Sequence, residues 1–258
     1  MYFIDVQGTL IDDLHKQPIR GACQFIDHLN VHHIPYMVIT NNTKRTSNDF
    51  LSYLNGIGLN IPASHYLDPL MILESMLPKE NVAAYGSESF LRILEMQGYG
   101  LDYESPKSVL IAIKEDFSAD EYAQMIGFLL QGSRLVGMHE TTLYAKNGKR
   151  YPGVGAILKM LEFATYASYD VVGKPSRAFY NAALNGLQKQ YSAAGFKGIT
   201  IISDDVKGDL GGAKELGMKT VFVLSGKYSH ADEIIPLLDK AQQPDKVYTD
   251  IHEMMEEL

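Results

Sequence analysis

Short β-branched runs that alternate with longer stretches of helical spacing constrain this chain more than any other feature. IPYMVIT at 34–40, ITIIS at 199–203 and TVFVL at 220–224 are each bounded by polar or glycine-bearing turns, with a helical pattern between one run and the next. That rhythm predicts a parallel sheet with helices on both faces, an α/β fold. The first half opens with a strand at 2–6, a helix at 20–32 whose apolar positions are Cys23, Phe25, Ile26 and Leu29, the strand at 34–40 and a helix at 46–55. The rhythm returns late, with helices at 154–166, 176–188 and 209–216 separating strands at 170–173, 199–203 and 220–224. Between the halves, strands at 81–86, 108–113 and 134–138 and helices at 87–97 and 119–131 make their own α/β pattern. Pro78 and the segment 149–153 bound it, so residues 78–148 read as an inserted domain between core segments 1–77 and 149–258.

Composition narrows the function. The 258 residues are 46% hydrophobic, enough for a substantial core, with a formal net charge of -8 and no lysine- or arginine-rich run. Nucleic acid and anionic membrane are therefore excluded as expected partners, and a small molecule is favoured. The one cysteine, Cys23, allows no internal disulfide and sits among apolar neighbours, as a buried bystander in a reducing compartment would. No stretch approaches the ~18 apolar residues of a membrane span, and the N-terminus enters a strand directly, so the expected location is the cytoplasm.

In open α/β sheets ligands sit at the carboxyl ends of the strands, and this chain concentrates its chemistry there. In YFIDVQGTL the first strand ends at Asp5, a nucleophile or metal ligand, and Gly8 breaks the run. Thr40, Asn41 and Asn42 follow the second strand with neutral donors suited to phosphate oxygens, although a Thr-Asn-Asn turn is also an ordinary turn. Gly173 and Pro175 hold Lys174 at another strand end, where its point charge suits a phosphoryl group; read alone, they merely end a strand and start a helix. ISDDVKGDL places Asp204 and Asp205 at a fourth strand end and Asp209 near a helix start, where it is equally an N-cap. Carboxylates with a carbonyl oxygen form a hard oxygen site for Mg²⁺, and phosphoryl transfer needs charge neutralisation, positioning and an in-line nucleophile.

The order of these segments resembles the four motifs of the haloacid dehalogenase superfamily of phosphohydrolases: DVQGTL (5–10), ITNN (39–42), GKP (173–175) and SDDVKGD (203–209). YPGVGAILKMLEFAT, VVGKPSRAFYNAAL, SDDVKGDLGGAKELGM and SGKYSHADE are similar to the NagD-like branch, subfamily IIA, and within it to the phospholysine phosphohistidine inorganic pyrophosphate phosphatase group. The resemblance implies a doubly wound, Rossmann-like core with an inserted C2-type cap that closes over substrate and offers a surface for a homodimer. It implies that Asp5 attacks phosphorus and binds Mg²⁺ together with the backbone oxygen of Gln7 and the carboxylate of Asp204. Thr40, Asn41, Asn42 and Lys174 would hold phosphoryl oxygens, with Asp209 and Asp205 behind them. Ser203 stands where the family's last motif usually begins with glycine.

Gln7 is the larger departure, because the family's usual second aspartate protonates the leaving group and later activates water, worth about 10²- to 10⁴-fold. An amide does not titrate. Good leaving groups such as a phosphoramidate nitrogen, pyrophosphate or an aryl oxide suffer least from the loss, and the glutamine oxygen offers an orienting contact for water. The competing class is a phosphate-binding or phosphoryl-acceptor protein without efficient turnover.

Other features have simpler readings. GGAKELGMKT at 211–220 approaches a P-loop pattern but precedes a strand instead of following one. His32 and His33 end a helix with no third ligand nearby, and the eleven methionines are dispersed. HETTLYAKNGKR at 139–150 reads as an exposed hinge or a substrate-reading segment of the cap.

Overall fold

A computed structural model describes residues 1–146 and 149–257. They form two compact units, one built from Met1–Thr40, Asn48–Leu67 and Arg177–Leu258, the other from Asn41–Ser47 and Asp68–Ser176. Strands β1 (Tyr2–Ile4), β2 (Tyr36–Ile39) and β3 (Tyr66–Leu67) come first in the chain. β4 (Asn81–Tyr85), β5 (Gly100–Leu101), β6 (Ser108–Ile111) and β7 (Arg134–Gly137) follow. A two-stranded antiparallel hairpin of β8 (Leu143–Lys146) and β9 (Lys149–Pro152) precedes β10 (Tyr169–Val171). β11 (Thr200–Ser203), β12 (Lys219–Val223) and β13 (Lys246–Tyr248) complete the series.

The first unit carries a six-stranded sheet in the order β13-β12-β11-β1-β2-β3, parallel throughout. From β1 the chain runs outward through β2 and β3, and its last third runs outward the other way from β11. The order therefore reverses between β1 and β11, and in sheets of this kind such a reversal opens a crevice at the strands' carboxyl ends. Alternation along the strands sorts their side chains between the two faces. Ile4, Val38, Ile202 and Val221 pack with Phe25, Ile26 and Leu29 of the helix Ala22–Val31. On the other face Phe3 stacks on Tyr180 of the helix Arg177–Gln188, with ring centroids 6.4 Å apart. Both faces are covered, so this is the doubly wound core that the alternation predicts.

The second unit has its own five-stranded parallel sheet, β10-β7-β6-β4-β5. Val82, Ala84, Leu110 and Val136 point into one core with Leu70, Leu73, Phe90 and Leu94. Ala83, Tyr85, Val109 and Leu135 point into another with Met125, Phe128, Leu158 and Leu161. The strand expected at 170–173 belongs here, pairing Tyr169–Val171 with Leu135–Gly137. The reason is packing. Leu158 and Leu161 of the helix Val154–Thr165 share a core with Leu135 and Val171, which makes that helix the crossover of a parallel pair in the second sheet. Among the described residues, no helix is long and apolar enough to cross a membrane. Residues 147 and 148, within the segment 139–150 considered as a hinge, lie outside the described residues.

Candidate active site

The first unit gathers the acids. Asp5 is the residue after β1, and its backbone N–H donates to the Ile202 carbonyl of the adjacent β11 at 2.9 Å, so the two strands end side by side. Its buried carboxylate accepts from the Thr9 hydroxyl at 3.3 Å. Thr40, buried just beyond β2, is tied to β3 through its N–H and the Leu67 carbonyl at 3.1 Å. Asp204 follows β11 and is also buried. A Cβ added to Gly8 would lie 2.3 Å from Asp204 Oδ2, and one added to Gly226 would lie 2.0 Å from it. Gly8 has φ +73°, a left-handed conformation that glycine adopts without steric cost. Two glycines thus let the backbone close around one carboxylate, and the Ser225 hydroxyl locks the pair of loops by donating to the Gly8 carbonyl at 2.8 Å.

The electrostatics follow from this packing. Burial drives the Asp204 carboxyl well above its ordinary pKa of 3.8, and the neighbouring charges of Asp5 and Asp205 push the same way against the pull of Lys227. The Lys227 N–H donates to Asp204 Oδ2 at 2.8 Å, and its ammonium pairs with Asp205. Burial alone would lower the Lys227 pKa, but Asp205 and Asp204 outweigh it and the net shift is upward. Asp205 also accepts the Gly208 N–H at 3.0 Å, capping the single π-helical turn Val206–Leu210 that carries Asp209. Ser203 has a definite task. Its hydroxyl donates to Asp209 Oδ2 at 2.8 Å and accepts the Asp205 N–H at 3.0 Å, joining the two acids through one side chain. Tyr180 donates to the Asp209 carbonyl at 2.8 Å, and burial beside Asp209, Asp205 and Asp5 pushes its phenol well above the ordinary 10.0.

Gln7 lies at the mouth of the same turn, part-buried, with its side-chain oxygen accepting from Lys16 Nζ at 2.6 Å. The second unit carries Asn41, Asn42 and Lys174. Lys174, buried after β10, has its N–H bonded to Asn41 Oδ1 at 2.9 Å. A Cβ on Gly173 would lie 2.6 Å from that same oxygen. Asn42 donates to Asp68 Oδ2 at 3.2 Å and to the Arg45 carbonyl at 2.8 Å, while Asp68 caps the helix Pro69–Met76. Asp5, Gln7, Thr40, Asp204, Asp205 and Asp209 therefore belong to one unit, and Asn41, Asn42 and Lys174 to the other. Sequence reasoning missed Lys16, Ser203 as a connector, and Lys227. The motif fragment SGKYSHADE contains Lys227, but nothing local to that fragment points at Asp205.

Known proteins are similar to this chain in sequence and in fold. The haloacid dehalogenase-like hydrolase family model matches residues 2–100, and a second model of haloacid dehalogenase hydrolase-like proteins matches residues 171–254. The phospholysine phosphohistidine inorganic pyrophosphate phosphatase of Danio rerio is 28% identical over 244 residues, 90% of this chain and 86% of its own. A p-nitrophenyl phosphatase from Archaeoglobus fulgidus superposes with a TM-score of 0.83 at 23% identity, covering 100% of this chain and 98% of its own. NagD from E. coli K-12 superposes with a TM-score of 0.76 at 23% identity, covering 98% and 96%. The chain belongs to the haloacid dehalogenase superfamily, in its NagD-like branch, subfamily IIA. Its enzyme class follows: it is a phosphatase of that superfamily.

Proposed function

We propose that this phosphatase depends on Mg²⁺, works through an aspartyl-phosphate on Asp5, and favours small phosphorylated substrates with good leaving groups. The observation that carries the reading is the Asp204 carboxylate wedged against Gly8 and Gly226, with Asp5 beside it where the strand order reverses. A buried carboxylate whose proton affinity is raised by burial and by the acids beside it forms a place whose charge a dication would relieve. Among the described residues, no group of three or more His, Cys, Asp or Glu forms a metal cage. A hard cation here would be held by Asp5, Asp204 and the main-chain oxygen of Gln7, with water and substrate on its other positions, as suits Mg²⁺. Bound there, the ion would supply charge neutralisation for the phosphoryl group.

The chain's own residues would do the rest. Asp5 forms the bond to phosphorus, splitting one displacement into two. Thr40, Asn41, Asn42 and Lys174 hold phosphoryl oxygens, and Lys174 offsets their charge. Asp205 and Asp209, joined through Ser203, stiffen the loop that presents Asp204. Gln7 supplies no proton, so phosphoramidates, pyrophosphate and aryl phosphates are preferred over alkyl esters. Residues 78–148 serve as the cap over such a substrate, in a cytoplasmic enzyme that pairs through this cap as a homodimer.

The test is steady-state hydrolysis of p-nitrophenyl phosphate, pyrophosphate and imidodiphosphate with and without Mg²⁺. Multiple turnovers that require the ion support the proposal; a stoichiometric burst without turnover would assign the chain to phosphoryl acceptors instead.

A further inference from the structure

Lys16 is not an incidental surface lysine. Its φ is +57°, a left-handed conformation that costs a non-glycine residue about 1–2 kcal/mol and persists where the surroundings impose it. The surroundings do so here. Asp12 accepts the N–H groups of Leu14 at 2.9 Å, His15 at 2.5 Å and Gln17 at 2.9 Å, folding residues 12–17 into a closed turn. The Tyr53 hydroxyl then donates to the Lys16 carbonyl at 2.7 Å, fixing the turn to the helix Ser47–Gly56. Bridges from Gln7 to Ile11 and from Ile11 to Pro18 bring the turn back over the segment that follows Asp5. The ammonium reaches Gln7 Oε1 at 2.6 Å, against 3.4 Å to Asp13 in an exposed pair that stabilises little.

This contact settles the orientation of the amide. An ammonium only donates, so the atom facing Lys16 is the carbonyl oxygen, and the amide NH₂ is the end turned away from it. Withdrawing electron density at the oxygen also makes that NH₂ a better donor.

We propose, building on the phosphatase reading above, that Lys16 is a positioning residue for leaving-group departure: it fixes and polarises Gln7 so that the amide NH₂ donates to the departing atom. In the first step the Asp5 oxygen–phosphorus bond forms and the bond from phosphorus to the leaving group breaks. Its electron pair stays on the leaving oxygen, hydrogen-bonded but not protonated by Gln7. In the second step water attacks the aspartyl-phosphate, the Asp5–phosphorus bond breaks with its electrons returning to the carboxylate, and both water protons stay with the phosphate. The substrate class narrows accordingly. Leaving groups that depart as anions, a phosphate from pyrophosphate or an aryl oxide, gain from a donor backed by positive charge. A protonated phosphoramidate nitrogen offers that donor no lone pair and places like charge near Lys16.

Kinetics of the full chain with Mg²⁺ across aryl phosphates of graded leaving-group pKa test this, using wild type, Lys16→Met, Lys16→Arg, Gln7→Ala and the Lys16→Met/Gln7→Ala double variant. Circular dichroism checks that each variant folds. Lys16→Met is expected to lose about tenfold in kcat/KM on phenyl phosphate, the size of one charge-backed hydrogen bond, and about twofold on dinitrophenyl phosphate. Lys16→Arg should recover most of that loss, and the double variant should be no slower than Gln7→Ala. A uniform loss across the series, or losses that add in the double variant, would overturn the role of Lys16 while leaving the phosphatase intact. Absence of turnover by wild type on every substrate would sink the phosphatase reading, and this inference with it.

Discussion

Two corners at the carboxyl end of the first sheet's central strands are built to different standards. Around Asp204 the backbone closes in from both sides through Gly8 and Gly226, leaving no room for a single added carbon, and Lys227 donates its N–H to the same carboxylate oxygen. Around Gln7 the side chain is part-buried and meets a lysine delivered by a surface turn, whose own side chain is 42% exposed. The first corner holds a carboxylate in a fixed place, as the proposed phosphoryl transfer requires. The second is the corner proposed to handle what departs, and there one side-chain contact, Lys16 to Gln7, sits on a turn held by hydrogen bonds to its main chain. The contrast teaches that the Asp204 carboxylate is placed by main chain closing on it, whereas the Gln7 amide is placed by a single side-chain contact that a substitution can remove.

The largest expected effect breaks the comparison at its root. Asp5→Asn removes the proposed nucleophile and should cost about 10⁴-fold or more on every substrate, with no trapped phosphoryl-enzyme after labelled substrate is quenched in acid. Gly8→Ala or Gly226→Ala should come next, at about 10²-fold, because the new methyl displaces the Asp204 carboxylate by the ångström or so that such sites do not tolerate. The Mg²⁺ titration midpoint should rise with it. Asp204→Asn separates stability from function. Removing a charge that burial disfavours, beside the like charges of Asp5 and Asp205 and against the pull of Lys227, should raise metal-free stability by about 1 kcal/mol in denaturant melts, and any stabilisation of wild type by Mg²⁺ should be lost with it.

The smallest effect concerns pH at the second corner. Although partial burial would raise it, the N–H groups of His15, Gln17 and Leu14 hold the Asp12 carboxyl below its ordinary pKa of 3.8. A depressed native pKa contributes stability that is present above the unfolded value and lost as pH falls through the native one. The turn carrying Lys16 should therefore be intact from neutral pH down to about 4. The ratio of wild-type to Lys16→Met rates should stay flat between roughly pH 5 and 8, measured on phenyl phosphate.

How much was legible in the sequence differs between the corners for a physical reason. Asp5, Thr40, Asp204 and Asp209 could be found because each lies within a few residues of a strand end, where a β-branched run and a turn mark the position. Lys16 acts across 9 residues and Lys227 across 22, through turns whose closure depends on Asp12, Tyr53 and Ser225, and no periodicity encodes that return. Ser203 reads as a small residue filling a glycine position, because its two hydrogen bonds exist only once Asp205 and Asp209 have folded around it. The strand at 169–171 follows the same logic. Its sequence fits either sheet, and only the shared packing of Leu135, Leu158, Leu161 and Val171 assigns it to the second.

The most direct test of the central claim compares wild type with Gln7→Asp on p-nitrophenyl phosphate and on an alkyl phosphate, with Mg²⁺ present. A carboxyl at position 7 restores a group able to carry a proton, yet one that Lys16 would hold ionised. The expected result is little change on the aryl ester and a gain of at least several-fold on the alkyl ester, within the ~10²- to 10⁴-fold range of acid–base assistance and growing as pH falls. Equal rates on the alkyl ester for both proteins at every pH would contradict the claim that Gln7 sets the leaving-group preference.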